Sequence, residues 1–313
     1  MRIFVTGASG FLGSHLCNKL RNEFTVGLVR DRLPSRWLDE ALANTVLVRG
    51  DLRDIDVLRR AVSQYGIDTV IHLGALASVK SANADPLSTY ETNFMGTVNV
   101  LEVCRQLKIP KVLILQSDKV FGQAIGATEK SPFLYAGPYE TSKAAQALMI
   151  ESYRDFYNLD VIMPITSNMY GYDEWSDRIV PNVIRAALRG EQPKVFSGSM
   201  KVRRQYIYVE DVVDAILFLL KTYSRHWDGG YPWNLYKREG VYTIPGETLT
   251  QEDVVREILK SFPGLEPQYV DEKRTRELES TTMELSEFGW KPQVPFEGGI
   301  EETVRLFKKY QGG

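Results

Sequence analysis

The sequence predicts an α/β protein: a doubly wound parallel sheet with a smaller C-terminal lobe. Short apolar, β-rich runs alternate with helical patterns through the first half of the 313 residues, as in parallel strands joined by helical crossovers. Glycines at 7, 10 and 13 stand between the first such run and the first helix. After about residue 170 the alternation stops, and Gly, Pro and aromatic residues become denser, notably through residues 228–246. A chain about twice the typical single-domain length can build one large domain or two lobes sharing a core.

In chain order, strands are expected at Arg2–Thr6, Phe24–Val29, Thr45–Arg49, Thr69–Leu73, Lys111–Gln116 and Asp160–Thr166, each of a buried parallel strand's length. Helices are expected at Gly10–Arg21, Ile55–Tyr65, Asn93–Leu107 and Tyr139–Tyr157. The second half reads as a helix at Arg178–Arg189, a strand-like segment at Arg204–Tyr208 and a helix at Val209–Thr222. A turn-rich stretch follows, then helices at Gln251–Ser261 and Phe296–Lys309.

With 43% hydrophobic and 25% charged residues, the composition is that of an ordinary globular protein and excludes collagen-like, disordered and disulfide-scaffold classes. Lys plus Arg number 38 against 40 Asp plus Glu. A net charge of −2 gives no general electrostatic reason to expect nucleic acid or an anionic membrane as partner. Only Cys17 and Cys104 are present, without a Cys/His cluster, so no disulfide framework and no metal site are expected, and a cytoplasmic setting is. The longest apolar run, Val212–Leu220, is broken by Asp214 and followed by Lys221. The opening MRIFVTGASG reads as a strand entering a turn rather than as a signal peptide.

That turn has a mechanism. Gly7 permits the bend, Gly10 lets backbone N–H groups approach a pyrophosphate, and Gly13 lets the helix pack on the strand, with Ser9, Phe11 and Leu12 completing the cradle. Strand, turn and helix in this order make residues 1–169 a dinucleotide-binding lobe of the Rossmann type. Residues 205–222 are expected to return to it, and 170–204 with 223–313 to form the second lobe. After the second strand stand Arg30, Asp31 and Arg32. A guanidinium there suits a 2′-phosphate and favours NADP, while Asp31 would serve the free ribose of NAD. Asp51 and Leu52 follow the third strand, placed for the adenine edge. Leu73, Gly74 and Ala75 follow the fourth, where backbone must pass close to the dinucleotide.

The fifth strand ends in Gln116-Ser117-Asp118-Lys119, and Pro138-Tyr139-Glu140-Thr141-Ser142-Lys143 opens a helix. Tyr139 and Lys143 are four apart and share a helical face, where an ammonium beside a phenol favours the phenolate. With Ser117 facing the same crevice, Tyr139 can take the proton of a sugar hydroxyl that Ser117 orients, and Lys143 can hold the nicotinamide ribose.

At this point the chain resembles the extended short-chain dehydrogenase/reductases, specifically the NAD-dependent epimerase/dehydratase family of nucleotide-sugar enzymes. TGASGFLG, Asp51, HLGA at 72–75, Asn93, Ser117, YETSK at 139–143, SNMYG at 167–171 and RRQYIYVEDV at 203–212 fall in the family's order. The resemblance ends with Gly289-Trp290-Lys291-Pro292 and so spans nearly the whole chain. It implies a tightly bound nicotinamide cofactor, contacted by Asn93 among others, a nucleoside-diphosphate sugar in the C-terminal lobe, and Ser117, Tyr139 and Lys143 as catalytic trio. Ser-Asp-Lys looks like the CDP-glucose 4,6-dehydratases, which implies Asp118 as general acid at C6 and Lys119 as base at C5. The stretch Asp173–Pro181 is similar to that subgroup too and implies substrate contacts at Arg178 and Val180. Arg204, with Arg203 beside it, matches the family's phosphate-binding arginine; Asn168 matches a diphosphate or sugar contact, and Arg274 or Arg276 a later one.

Some positions depart from the pattern. Ile165 stands where the family often has Arg, and Gln116 replaces a small hydroxyl residue. Arg30 resembles the NADP-using GDP-mannose dehydratases. The expected function is therefore a 4,6-dehydratase acting on a CDP-glucose- or GDP-mannose-like substrate, with an epimerase, a 4-keto-sugar reductase or a non-catalytic NADP-sensing protein as alternatives. The family implies a homodimer built through the Asn93–Leu107 and Tyr139–Tyr157 helices as a four-helix packing.

Overall fold

The six expected strands form in a computed structural model, which describes residues 1–31, 35–122, 124–223, 240–271 and 282–311. Apolar four- to six-residue runs drive them into a two-sided buried sheet: Ile3, Val5, Val26, Ile71, Leu113 and Ile162 are all sealed from solvent. Named by first residue, the strand order is Val241, Val161, Lys111, Thr69, Arg2, Phe24, Thr45, and all neighbours are parallel. The chain reverses direction across the sheet on either side of Arg2–Thr6, which opens a crevice beyond the carboxyl ends of that strand and Thr69–His72.

The expected Lys111–Gln116 strand is split. Lys111–Ile114 lies between its two neighbours, and Gln116–Ser117 then pairs separately with Ile165 and Thr166. That offset carries Ser117 to the crevice end of the sheet. The helix expected from Asn93 begins at Gly96, after a wider π-helical turn over Tyr90–Met95 that contains the fully buried Asn93. Short helices at Arg36–Ala41, Val79–Ala84 and Pro86–Thr89 lack the length for a periodic signal and are held by side-chain caps from Ser35, Ser78 and Asp85.

Residues 223–313 do not all join the smaller lobe. Val241–Ile244 adds a seventh strand to the edge of the large sheet, parallel to Val161–Thr166. Four residues inside a Gly- and Pro-rich stretch give too short a run to read as a strand. The Val209–Thr222 helix packs on the Phe11–Lys19 helix and the sheet, burying Val212, Ile216 and Leu219. Around it, Arg203–Tyr208 pairs with Asn168–Tyr170 and Glu247–Thr250. Segment 282–286 straps these parts together. Gln205 reads both backbone groups of Met283, Ala127 pairs with Thr282 and Glu284, and Ser286 bonds the backbone N–H of Thr243.

Candidate active site

At the end of Arg2–Thr6, Gly7 takes φ +71°, and Gly10 N donates to Gly7 O at 2.9 Å. A Cβ on Gly13 would stand 2.0 Å from Gly7 O, and one on Gly7 2.8 Å from Gly74 Cα. Turn, helix start and the loop after Thr69–His72 are thus in backbone contact. Gly10 caps the Phe11–Lys19 helix with no side chain, which leaves the first N–H groups and the positive end of the helix dipole for an anion. The cradle fits a pyrophosphate. Ser9 bonds the Asp31 carbonyl at 3.5 Å, and Phe11 lies edge-on to His15. Leu12 is buried in the core, so it offers backbone and no side chain.

Where the adenosine ribose would sit, Arg30 Nε donates to Asp31 Oδ2 at 3.0 Å on an exposed edge. Arg32 lies outside the described residues. Asp51 is engaged by Arg53 through both oxygens, which holds its carboxyl below the usual range. Leu52 wedges between Gly74 and Gly96. Leu73 and Gly74 donate their N–H groups to Thr6 Oγ1 at 3.2 Å each, and Ala75 is half-buried in the same loop. Asn93, expected as a cofactor contact, is instead spent internally. Its Oδ1 accepts from Leu76 N at 2.7 Å, and its Nδ2 donates to Leu76 O and to Ser142 Oγ. It pins the loop after Thr69–His72 to the Pro138–Tyr157 helix.

Ser117, Asp118, Lys119 and Tyr139 come together. Ser117 Oγ donates to Asp118 Oδ1 at 2.8 Å, and Lys119 Nζ pairs with Asp118 Oδ2 at 2.9 Å. Asp118 is 3% exposed, so this is a nearly buried ion pair whose Lys end is partly exposed. Burial pushes the Tyr139 phenol up to about 12, while the Arg178 charge and a hydrogen bond with Ser117 pull against it.

The expected pairing of Lys143 with Tyr139 is not found. The Lys143 ammonium donates to Gln146 Oε1 at 2.8 Å and to Leu115 O at 3.4 Å. A buried ammonium takes the carbonyl acceptors within reach, and sharing a helical face does not outweigh them. Desolvation brings Lys143 down to about 8. Arg178, at the start of the Ile179–Leu188 helix, places a positive charge near Tyr139.

Asn168 Nδ2 donates to Gln205 O at 3.0 Å, and Arg204 lies half-buried on the neighbouring strand. Val180, expected against substrate, is 2% exposed and packs in the core as the second residue of the Ile179–Leu188 helix. Arg274 and Arg276 lie outside the described residues. Gln116, Gln146 and His72 carry the polar packing under the site and were not singled out as site residues. Gln146 is three residues beyond Lys143 on the same helix, a spacing that places them side by side.

A parallel dinucleotide fold whose fifth strand brings a serine to the phenol of a Tyr-x-x-x-Lys helix defines an extended short-chain dehydrogenase/reductase. Residues 3–235 match the sequence model of the NAD dependent epimerase/dehydratase family, and the chain belongs to that family. It is 26% identical over 346 residues to dTDP-glucose 4,6-dehydratase of Haemophilus influenzae, covering 98% of each chain. It is also 26% identical to the Arabidopsis thaliana trifunctional UDP-glucose 4,6-dehydratase/UDP-4-keto-6-deoxy-D-glucose 3,5-epimerase/UDP-4-keto-L-rhamnose-reductase, covering 96% of this chain and 46% of that one. It thus spans about half that relative's length. Among solved structures, the UDP-glucose 4-epimerase of Thermus thermophilus in complex with NAD superposes with a TM-score of 0.86 at 27% identity, over 98% of this chain and 99% of that one. Among the described residues no helix is long and apolar enough to cross a membrane.

Proposed function

We propose that this chain is a nucleotide-sugar 4,6-dehydratase that converts a CDP-glucose- or GDP-mannose-like nucleoside-diphosphate hexose to its 4-keto-6-deoxy product. The observation that carries this reading is the Asp118–Lys119 ion pair beside Ser117 and Tyr139. Oxidation and re-reduction at C4 need only the serine, tyrosine and lysine. Elimination across C5 and C6 needs an additional base and acid, and the pair supplies both.

When bound, the dinucleotide supplies a hydride acceptor for C4 and, later, a hydride donor for C6. Tyr139 takes the proton of the C4 hydroxyl while Ser117 hydrogen-bonds that oxygen. The C4 ketone acidifies C5–H. A proton crosses the 2.9 Å contact from Lys119 Nζ to Asp118 Oδ2, leaving an amine and a carboxylic acid. The amine takes the C5 proton, and the acid protonates the C6 hydroxyl, which departs as water. Lys119 is then an ammonium and Asp118 a carboxylate; as C6 is reduced, Lys119 returns a solvent-exchanged proton to C5, and the proton that Tyr139 took from the C4 hydroxyl passes through solvent to Lys119, which restores the starting pair. Arg204, Arg178 and Asn168 hold the diphosphate and sugar.

The dinucleotide is NAD or NADP. Arg30 suits a 2′-phosphate and Asp31 the free ribose hydroxyls, and their single Nε–Oδ2 contact leaves the other guanidinium nitrogens and the other carboxylate oxygen for either; the Thermus relative holds NAD. Free, buried Cys17 and Cys104 suit a cytoplasmic protein. Leu148, Phe156 and Tyr157 are each more than half exposed on the Pro138–Tyr157 helix, as is expected of a homodimer face. Light scattering is expected to give twice the 35.6 kDa chain mass, and Leu148→Glu to give the single-chain mass.

The reaction is tested by incubating the protein with CDP-glucose, GDP-mannose, dTDP-glucose and UDP-sugars in ordinary and deuterated water, followed by mass spectrometry. Loss of one water with one solvent deuterium at C5 is the expected result. A product of unchanged mass and altered stereochemistry would mean an epimerase and sink the acid–base roles of Asp118 and Lys119. Consumption of one NADPH per turnover would mean a reductase, and no change with any sugar would favour a sensor.

A further inference from the structure

Beneath the dinucleotide cradle, Lys143 ends a chain of buried polar side chains whose other members the reaction above does not use. Lys143 Nζ donates to Gln146 Oε1 at 2.8 Å, and Gln116 Nε2 donates to the same oxygen at 2.7 Å. From the other end of that amide, Gln146 Nε2 donates to Asn93 O at 3.2 Å and to Thr97 Oγ1. Thr97 gives its only hydroxyl proton to Asn93 O at 2.7 Å, so its oxygen accepts from His72 Nε2 at 2.9 Å. His72 Nδ1 must then accept, and it does so from Thr6 Oγ1 at 2.6 Å. Thr6 Oγ1 in turn accepts from Leu73 and Gly74 N–H, the backbone that faces Gly7. Donor and acceptor alternate without conflict from the lysine to the cradle. His72 is neutral in this arrangement, and burial holds it near 3.

This alternation fixes the Gln146 amide. Turned over, its NH₂ would face an ammonium and a second NH₂, while Asn93 O would lose a donor. Gln116 Oε1, meanwhile, is buried without a hydrogen-bond partner. A fold keeps such an uncompensated acceptor where the other end of the group is needed.

We infer that Gln146, braced by Gln116, is a positioning residue whose carbonyl holds the Lys143 ammonium in the place from which it serves the dinucleotide ribose. The groups facing Lys143 are Gln146 from its own helix, Leu115 O and Gln116 from the fifth strand, and neutral His72 from the fourth. None of these hydrogen-bond partners is anionic, so the carbonyls alone hold the proton on a lysine brought down to about 8. The inference rests on the ribose-holding reading of Lys143, but its test needs no turnover.

The test is the titration of ¹⁵Nζ-labelled lysine by NMR in protein free of dinucleotide, with the Lys143 resonance assigned by its loss in Lys143→Met. Gln146→Leu removes the acceptor and is expected to lower the midpoint by about one pH unit. Gln116→Met removes only the brace and lowers it less. Gln146→Glu places a carboxylate against the ammonium and raises it by about one pH unit or more. NAD affinity by calorimetry at pH 8 is expected to fall in Gln146→Leu and recover in Gln146→Glu. Unchanged Lys143 midpoints in folded variants overturn the inference. If Gln146→Leu does not fold, unchanged midpoints in Gln146→Glu and Gln116→Met do the same. Shifted midpoints with no dehydratase activity on any sugar leave the inference standing and overturn only the functional reading.

Discussion

Tyr139→Phe is expected to lower turnover by at least about 10²–10⁴-fold, the usual worth of a positioned general base, with dinucleotide affinity unchanged. The ring is 6% exposed, and phenylalanine keeps its shape and burial. Among the described residues Ser117 is the side chain hydrogen-bonded to the phenol, so the substitution leaves one serine partly unpaired. With burial the largest influence, the phenol is pushed up to about 12, so at neutral pH the free protein holds it protonated. Removal of a C4 proton therefore depends on positive charge gathered around the oxygen. Arg178 is one source. Steady-state turnover and calorimetric dinucleotide binding check the expectation together. Retention of more than about one-tenth of native turnover, against the 10²-fold or larger loss of a true base, would move the base role to another group.

How much of this was legible in the sequence divides by the range of the constraint. The glycines at 7, 10 and 13 were readable from their spacing between a strand and a helix, where Gly7 takes φ +71° and a Cβ on Gly13 would stand 2.0 Å from Gly7 O. Ser117, Tyr139 and Lys143 were readable as residue types at a strand end and on one helical face. The partners of Lys143 were not, because Gln116 reaches Gln146 across 30 residues of chain and a strand–helix contact that no local pattern encodes. The same holds for Asn93. A family position placed it near the cofactor, but its bonds to Leu76 and Ser142 depend on a π-helical turn and on a helix 49 residues further on. Val180 failed for the opposite reason: its place in a motif outweighed an amphipathic pattern that buries it with Val183 and Ile184. The edge strand Val241–Ile244 was hidden by its length. Its four residues join the sheet through Val161–Thr166, some 80 residues earlier, and a single-window reading gives that pairing no weight.

Gly13→Ala is expected to reduce dinucleotide affinity by more than about 100-fold and to destabilise the fold by about 1–3 kcal/mol. The added methyl would lie 2.0 Å from Gly7 O, 2.8 Å from Gly7 C and 2.9 Å from Ala8 Cα, all rigid backbone. No rotamer relieves that overlap, so the start of the Phe11–Lys19 helix must move away from the turn. The movement acts on binding more than on stability. The helix keeps its buried face of Leu12, Leu16 and Cys17, but its first N–H groups lose their aim at the pyrophosphate. Gly198→Ala serves as the comparison, since a Cβ there meets nothing within 4 Å and is expected to change neither quantity. Calorimetric titration with NAD and chemical denaturation of both variants separate the two effects. Native affinity in folded Gly13→Ala would show that the turn is only a structural bend, and the dinucleotide assignment would lose the residues on which it most depends.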